Sequence, residues 1–221
     1  MKIEYLYRDS EIVAINKPCG VPVQPDHYEV KDIQTQVSEE MGSPYHLINR
    51  IDRPVSGIVL LASSPKSMKA YQSLWQQHAV QKDYLAIAQG HLEEDNGILI
   101  NRLYKGANNK AYVVPEPQGK RAALDYQVVE RLDRYTIVKV SLHSGRFHQI
   151  RCQLAHIGHP VGGDVKYGAR RRNVDRSIHL HSWKLFLPDR EIVAPVPERD
   201  NLWKAVRESL IEKGLISSEK G

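Results

Sequence analysis

Residues 121–142, RAALDYQVVERLDRYTIVKVSL, read as two strands, Arg121 to Glu130 and Tyr135 to Leu142, with a short turn between them. A connection this short joins antiparallel neighbours, because a parallel pair needs a crossover of about a dozen residues or more. The same pattern recurs on either side. Lys82 to Gln89 is a strand stopped at Gly90. His179 to Leu187 and Glu191 to Ala194 are strands. The chain opens on a hairpin, Ile3 to Tyr7 and Glu11 to Asn16, turning at Arg8, Asp9 and Ser10. Gly57 to Ala62 (GIVLLA) is an apolar strand, and Tyr45 to Ile51 is extended.

Helices are fewer. Ile33, Val37 and Met41 recur every four residues before Gly42. Ser64 caps a helix with Pro65 at its first position and Met68, Tyr71, Leu74, Trp75 and His78 along one face. Ser144 is read as the cap of a helix from Arg146 to Ile157, closed by Gly158 and followed by Pro160. The last helix carries Leu202, Val206 and Leu210. Asn101 to Gln118 is polar without clear periodicity and reads as a loop. The sum predicts an α+β protein: a mixed, largely antiparallel sheet with flanking helices, in a single domain over 1–221.

Of 221 residues, 41% are hydrophobic and 26% charged, an ordinary globular mixture. No apolar run approaches the roughly 18 residues of a membrane span. The opening MKIEYLYRDS does not resemble a signal peptide, so a cytoplasmic protein with no membrane partner is expected. Cys19 and Cys152 lie far apart and form no CxxC; inert thiols are expected. The net charge of +5 permits a polyanionic partner, and Arg170, Arg171, Arg172 and Arg176 crowd one stretch.

Three residues break the pattern. Asp52 is a charge between two apolar segments; such a residue is solvated, paired or functional, and Asp also caps turns. Arg50 and Arg53 beside it favour its ionised form. Arg151 falls on the apolar face drawn by Phe147, Ile150, Leu154 and Ile157, so it either snorkels to a surface acid or meets a buried carboxylate. Tyr84 sits in a strand, where core packing with the hydroxyl at the rim is usual.

Together these segments resemble the RluA-like pseudouridine synthases. The first motif is Asn49-Arg50-Ile51-Asp52-Arg53-Pro54-Val55-Ser56-Gly57, where the family has His-Arg-Leu-Asp-x-x-Thr-Ser-Gly. The second is Lys82-Asp83-Tyr84-Leu85-Ala86 with Gly90. The third is Ser144-Gly145-Arg146-Phe147-His148-Gln149-Ile150-Arg151, running on through Leu154 to Pro160 and Gly163-Asp164. Asn16-Lys17-Pro18-Cys19-Gly20 resembles the family's start. Asn49, Val55 and Phe147 depart from the usual His, Thr and Thr, which touches the hydrogen bonding of the Asp52 loop and substrate preference. The extra S4-type RNA-binding domain of some members is expected to be absent.

The resemblance implies isomerisation of specific uridines in transfer or ribosomal RNA. The N1–C1′ bond breaks, the base turns, and C5 joins C1′. All atoms stay in the product, so no cofactor and no metal is expected. Asp52 is implied as the catalytic group, attacking the sugar or removing the C2′ proton. Arg151 is implied as its partner and Tyr84 as the residue stacked on uracil. Arg50 is implied to hold or replace the flipped nucleotide, and Ile51 and Ile150 to wall the base. The Arg170 to Arg172 stretch is read as a phosphate contact and the 101–118 loop as a mobile cover over the substrate. A monomer is expected. Two rivals stand beside this reading: a catalytically dead RNA-binding relative, and a metal-dependent hydrolase built on His143, His148, His156 and His159. Serine-hydrolase and P-loop chemistry are excluded by the lack of GxSxG and GxxxxGK[ST].

Overall fold

Short turns between apolar strands leave little room for anything but antiparallel pairing. The computed structural model, which describes residues 2–25 and 30–218, is built that way. In chain order its elements are β1 (Tyr5–Arg8), β2 (Ile12–Lys17), α1 (Ile33–Glu40), β3 (His46–Leu47), β4 (Ser56–Ala62), α2 (Pro65–Gln76), β5 (Gln81–Gln89) and β6 (Asn96–Lys105). Then come β7 (Ala111–Val114), β8 (Lys120–Leu132), β9 (Tyr135–Leu142), α3 (Gln149–His156), a 3-10 turn (Val165–Tyr167), β10 (Leu180–Leu187), β11 (Arg190–Val193) and α4 (Asn201–Glu212). Two compact units share these elements. One holds Met1–Asp83, Val174–Ser177 and Ser182–Pro195; the other holds Tyr84–Asn173, Ile178–His181 and Val196–Gly221.

In the first unit β2 pairs antiparallel with β1 and with β4, in a register that sets Lys17 opposite Gly57. Every residue of β4 is buried, as its uninterrupted apolar run requires of a strand covered on both faces. Ile12, Ile58, Leu60, Leu185 and Ile192 form the core, and Tyr71, Leu74 and Trp75 of α2 pack on it. These belong to the face read from the spacing, though His78, read as its end, lies beyond α2 and is exposed; the Ser64 hydroxyl caps the helix by accepting from the Ser67 amide at 3.1 Å.

Gly57, the second residue of β4 after the Asp52 loop, has φ +110°. A Cβ there would lie 2.1 Å from the Ser182 carbonyl oxygen. Gly57→Ala therefore combines a backbone clash with a strained dihedral, and we expect a loss of at least ~3 kcal/mol, or roughly 6–12 °C in Tm. A melting temperature within ~2 °C of wild type would show that the approach is not tight.

In the second unit the strands run in the order β5-β9-β8-β6-β7. β8 and β9 are the pair read from residues 121–142, with a register shift between Val128 and Glu130. β6 pairs with β8 and β7 with β6, all antiparallel. The expected loop over 101–118 is therefore corrected to part of a β6–β7 hairpin. β7 is the edge strand and β6 lies between it and β8; their half-exposed polar positions carry no strong signal, and the register comes from β8.

A second correction concerns α3. It begins at Gln149 rather than Arg146, and Ser144 is not its cap. His148 has a left-handed backbone (φ 53°, ψ 26°), which no helix continues through and which costs a non-glycine residue about 1–2 kcal/mol. The Gln149 side chain holds the preceding loop: its Oε1 accepts from the Ser144 hydroxyl and the Arg146 amide, and its Nε2 donates to the Ala123 carbonyl. Cys152 and Tyr167 pack with Leu103, Ala111 and Ala122, seating α3 on the hairpin. α4 buries Val206 and Leu210 as the spacing predicts, but Trp203 rather than Leu202 fills the third place, with Asp200 as its cap.

Candidate active site

Asp52 lies in the first unit, in a tight turn closed by the Val55 amide donating to the Asp52 carbonyl at 3.0 Å. The turn is anchored on both sides. Before it, Asn49 accepts from the Leu60 amide at 2.6 Å and donates to the Ile58 carbonyl at 3.3 Å, tying the chain to β4. After it, Val55 is buried. Asn49 and Val55 are two of the departures from the family motif, and both are satisfied: one by backbone hydrogen bonds, one by apolar burial. Ile51 is buried, Asp52 is half-buried and Arg50 is exposed.

The turn is also laced to the 18–21 loop. The Gly20 amide donates to the Arg53 carbonyl at 2.8 Å, and Arg53 Nε donates to the Gly20 carbonyl at 2.7 Å. Lys17 lies at the centre of this lacing. It is fully buried, and its ammonium donates to the carbonyls of Pro18 and Val21 at 2.8 Å and of Arg53 at 3.2 Å. Burial pushes its pKa down to about 7, opposed by Cys19 and Asp52 nearby and aided by the positive charge of Arg53. Sequence reasoning passed Lys17 over as part of a turn. The signal was there: the apolar run Ile12 to Ile15, followed by Asn16 and a lysine just before a Pro–Gly turn.

Lys17 makes stability pH-dependent. Its folded pKa lies below its ordinary value of 10.5. Between pH 7 and 10.5 the unfolded chain therefore binds more protons, and stability rises with pH by at most ~1.4 kcal/mol per unit. Below pH 7 both states are protonated and the rise stops. We expect the stability of wild type relative to Lys17→Met to climb across urea unfolding series at pH 7, 8 and 9. A difference that stays flat contradicts the buried-charge account.

The second unit holds the remaining expected residues. Tyr84, in β5, is 7% exposed, and Ile150 and Arg151 are buried on α3. Arg151 is 5% exposed and its carboxylate partner within this unit is Asp164, itself 2% exposed. The pair is bidentate, Nε to Oδ2 at 2.6 Å and Nη2 to Oδ1 at 2.9 Å. The sequence left Arg151 between a surface acid and a buried carboxylate, and the resemblance implied Asp52; the partner within this unit is Asp164, which the chain brings back from thirteen residues further on. The guanidinium carbon lies 5.1 Å from the Tyr167 ring centre. The Tyr167 hydroxyl accepts from the Ala111 amide at 2.7 Å and bonds His148 Nδ1 at 2.9 Å. Burial raises the pKa of Tyr167 and keeps it a neutral phenol.

Among the described residues no three His, Cys, Asp or Glu side chains are grouped to hold a metal ion. His143 pairs with Asp125 at 2.7 Å and His159 Nδ1 meets the Gln89 carbonyl at 2.9 Å, so these two face different partners from His148. No helix among the described residues is long and apolar enough to cross a membrane.

The comparisons with known proteins point one way. A family model described as RNA pseudouridylate synthase matches residues 11–156. A tRNA pseudouridine synthase C of Haemophilus influenzae is 33% identical over 202 residues, covering 84% of each chain. A protein of the same name from Pasteurella multocida is 30% identical over 89% of this chain and 87% of its own. Among solved structures, human RNA Pseudouridylate Synthase Domain Containing 4 matches with a TM-score of 0.74 at 24% identity, covering 94% of this chain and 91% of that one. Human RNA Pseudouridylate Synthase Domain Containing 1 gives 0.75 at 20% identity, covering 94% of both. At those identities the two structures speak for a shared fold.

Proposed function

The chain belongs to the RNA pseudouridylate synthase family, and from that premise we propose that it converts a uridine of transfer RNA to pseudouridine with Asp52 as the catalytic carboxylate. The observation that carries the assignment is the Asp52 turn, a half-buried carboxylate on a backbone held by Asn49, Val55, Gly20, Arg53 and Lys17. A group that must meet one sugar carbon gains from such pre-organisation. The names of the similar bacterial proteins favour transfer RNA over ribosomal RNA.

In the proposed reaction the N1–C1′ bond breaks, the detached uracil turns, C5 bonds to C1′, C5 loses its proton and N1 gains one. No atom is gained or lost overall, so the reaction itself calls for no cofactor. Tyr84 is proposed to stack on the uracil, and Arg151 to hold the charge of the Asp52 carboxylate. Arg50 is proposed to steady the flipped nucleotide, and Ile51 and Ile150 to bound the base. We take residues 1–221 to act as one catalytic domain, as a monomer, in the cytoplasm where transfer RNA is found.

Phosphates are proposed to bind a groove of about 490 Å³ in the second unit, lined by Arg134, His159, Arg170 and Arg171 without a carboxylate. Replacing Arg170 and Arg171 together by Ala should flatten the dependence of log affinity on log salt by about 1–2. An unchanged slope removes the groove from the RNA path.

The test of the whole reading is pseudouridine mapping by carbodiimide-based primer extension on RNA from cells with and without the gene. Loss of one or a few sites in transfer RNA is expected. Loss only in ribosomal RNA would move the substrate, and no loss in either RNA would contradict the assignment.

A further inference from the structure

A second basic pocket of the second unit, about 530 Å³, is lined by Tyr104, Lys105, Lys120, Arg146 and Phe147. Tyr84, Ile150 and Arg151 are not among its lining residues, and neither is any Asp or Glu. Two aromatic rings stand open there: Tyr104 is 56% exposed and Phe147 37%. Isolated apolar side chains on a surface need no explanation, but open rings among cations without a counter-charge do.

Phe147 is also held in place. Its ring stacks on His148, centroids 3.8 Å apart and planes 19° from parallel. His148 is fixed by its left-handed backbone and by the Tyr167 hydroxyl, which the Ala111 amide holds in turn. Lys105 Nζ lies 4.6 Å from the Phe147 ring centre. Arg146 is tethered through Nε to the Arg121 carbonyl at 3.0 Å. With His148 behind the ring and the Lys105 ammonium displaced from its other side, Phe147 offers a base a π-face, and the tethered Arg146 with the exposed Lys105 and Lys120 offers its phosphate a counter-charge.

We propose that this pocket binds an unpaired nucleotide of the substrate RNA, other than the uridine that reacts, with its base on Phe147 and its phosphate at Lys105, Lys120 and Arg146. The proposal rests on the RNA-modifying reading above and deepens it: substrate choice then depends on an unpaired base in addition to the target uridine. The position is one where the family motif has Thr, which offers no ring to stack on.

The experiment uses [5-³H]uridine-labelled transfer RNA isolated from cells lacking the gene, and follows tritium release by purified full-length protein. Phe147→Leu should raise KM roughly tenfold, the effect of losing one base stack, with kcat within about twofold. Phe147→Tyr should restore the wild-type KM. Lys105→Gln with Lys120→Gln should raise KM and lower the slope of log KM against log salt by about 1–2. The subsite is overturned if Phe147→Leu melts like wild type and keeps its KM, or if Phe147→Tyr is as impaired as Phe147→Leu. These outcomes are distinct from failure of the RNA reading, in which the wild-type protein itself releases no tritium and the subsite falls with it.

Discussion

Asp52→Asn leaves a folded protein that makes no pseudouridine. Asparagine has the same shape as aspartate, and the substitution keeps several contacts that hold the turn. They run through the Asp52 carbonyl to the Val55 amide, through the Gly20–Arg53 lacing, and through Lys17 and Asn49. The melting temperature should stay within a few degrees. What is lost is the negative oxygen that either attacks C1′ or takes the C2′ proton, and an amide does neither. Removing such a group costs roughly 10³-fold or more in rate. Nucleoside analysis of transfer RNA incubated with the variant should show no product above background. Turnover above a few per cent of wild type would remove Asp52 from the chemistry.

Arg151→Met is expected to have the largest effect on stability. The Arg151–Asp164 pair is bidentate and nearly free of solvent, at 5% and 2% exposure. Methionine roughly fills the space but leaves the Asp164 carboxylate buried without that cation. Breaking one side of a buried pair costs about 3–5 kcal/mol, or roughly 6–20 °C in Tm for a chain of this size. Arg151→Met combined with Asp164→Leu should recover much of that loss, because it removes the stranded charge along with its partner. Both variants should be inactive if Arg151 also serves Asp52. If the single substitution melts within ~2 °C of wild type, the pair is not a structural anchor. If the double one is as unstable as the single, the stranded charge is not the cause.

Signals written into neighbouring residues were legible in the sequence. Ser64 and Pro65 mark the start of α2, and the β8–β9 hairpin follows from two apolar runs and the turn between them. The burial of Arg151 was one of two readings of its helical spacing, and the apolar face drawn for it holds only at Ile150 and Leu154, since Phe147 precedes α3 and both Phe147 and Ile157 are exposed. Features set by distant partners were not legible. The β6–β7 hairpin owes its register to β8, so its own sequence reads as loop. The late start of α3 follows from one left-handed residue, His148, supported by Tyr167 nineteen residues on. Lys17 is a charge whose acceptors are backbone carbonyls, and every residue carries one, so no residue type announces them. Asp164 lies inside a quoted motif, yet only the folded chain shows that it closes on Arg151. Phe147 departs from the family pattern, and its meaning emerges only with the pocket around it.

The most direct measurement is tritium release from [5-³H]uridine-labelled transfer RNA, prepared from cells lacking the gene, on addition of the purified protein. Bond formation at C5 expels that hydrogen, so the account predicts release rising to a plateau of about one to a few tritons per RNA chain with wild type and none with Asp52→Asn. Equal release by both proteins, or no release by wild type, would contradict it.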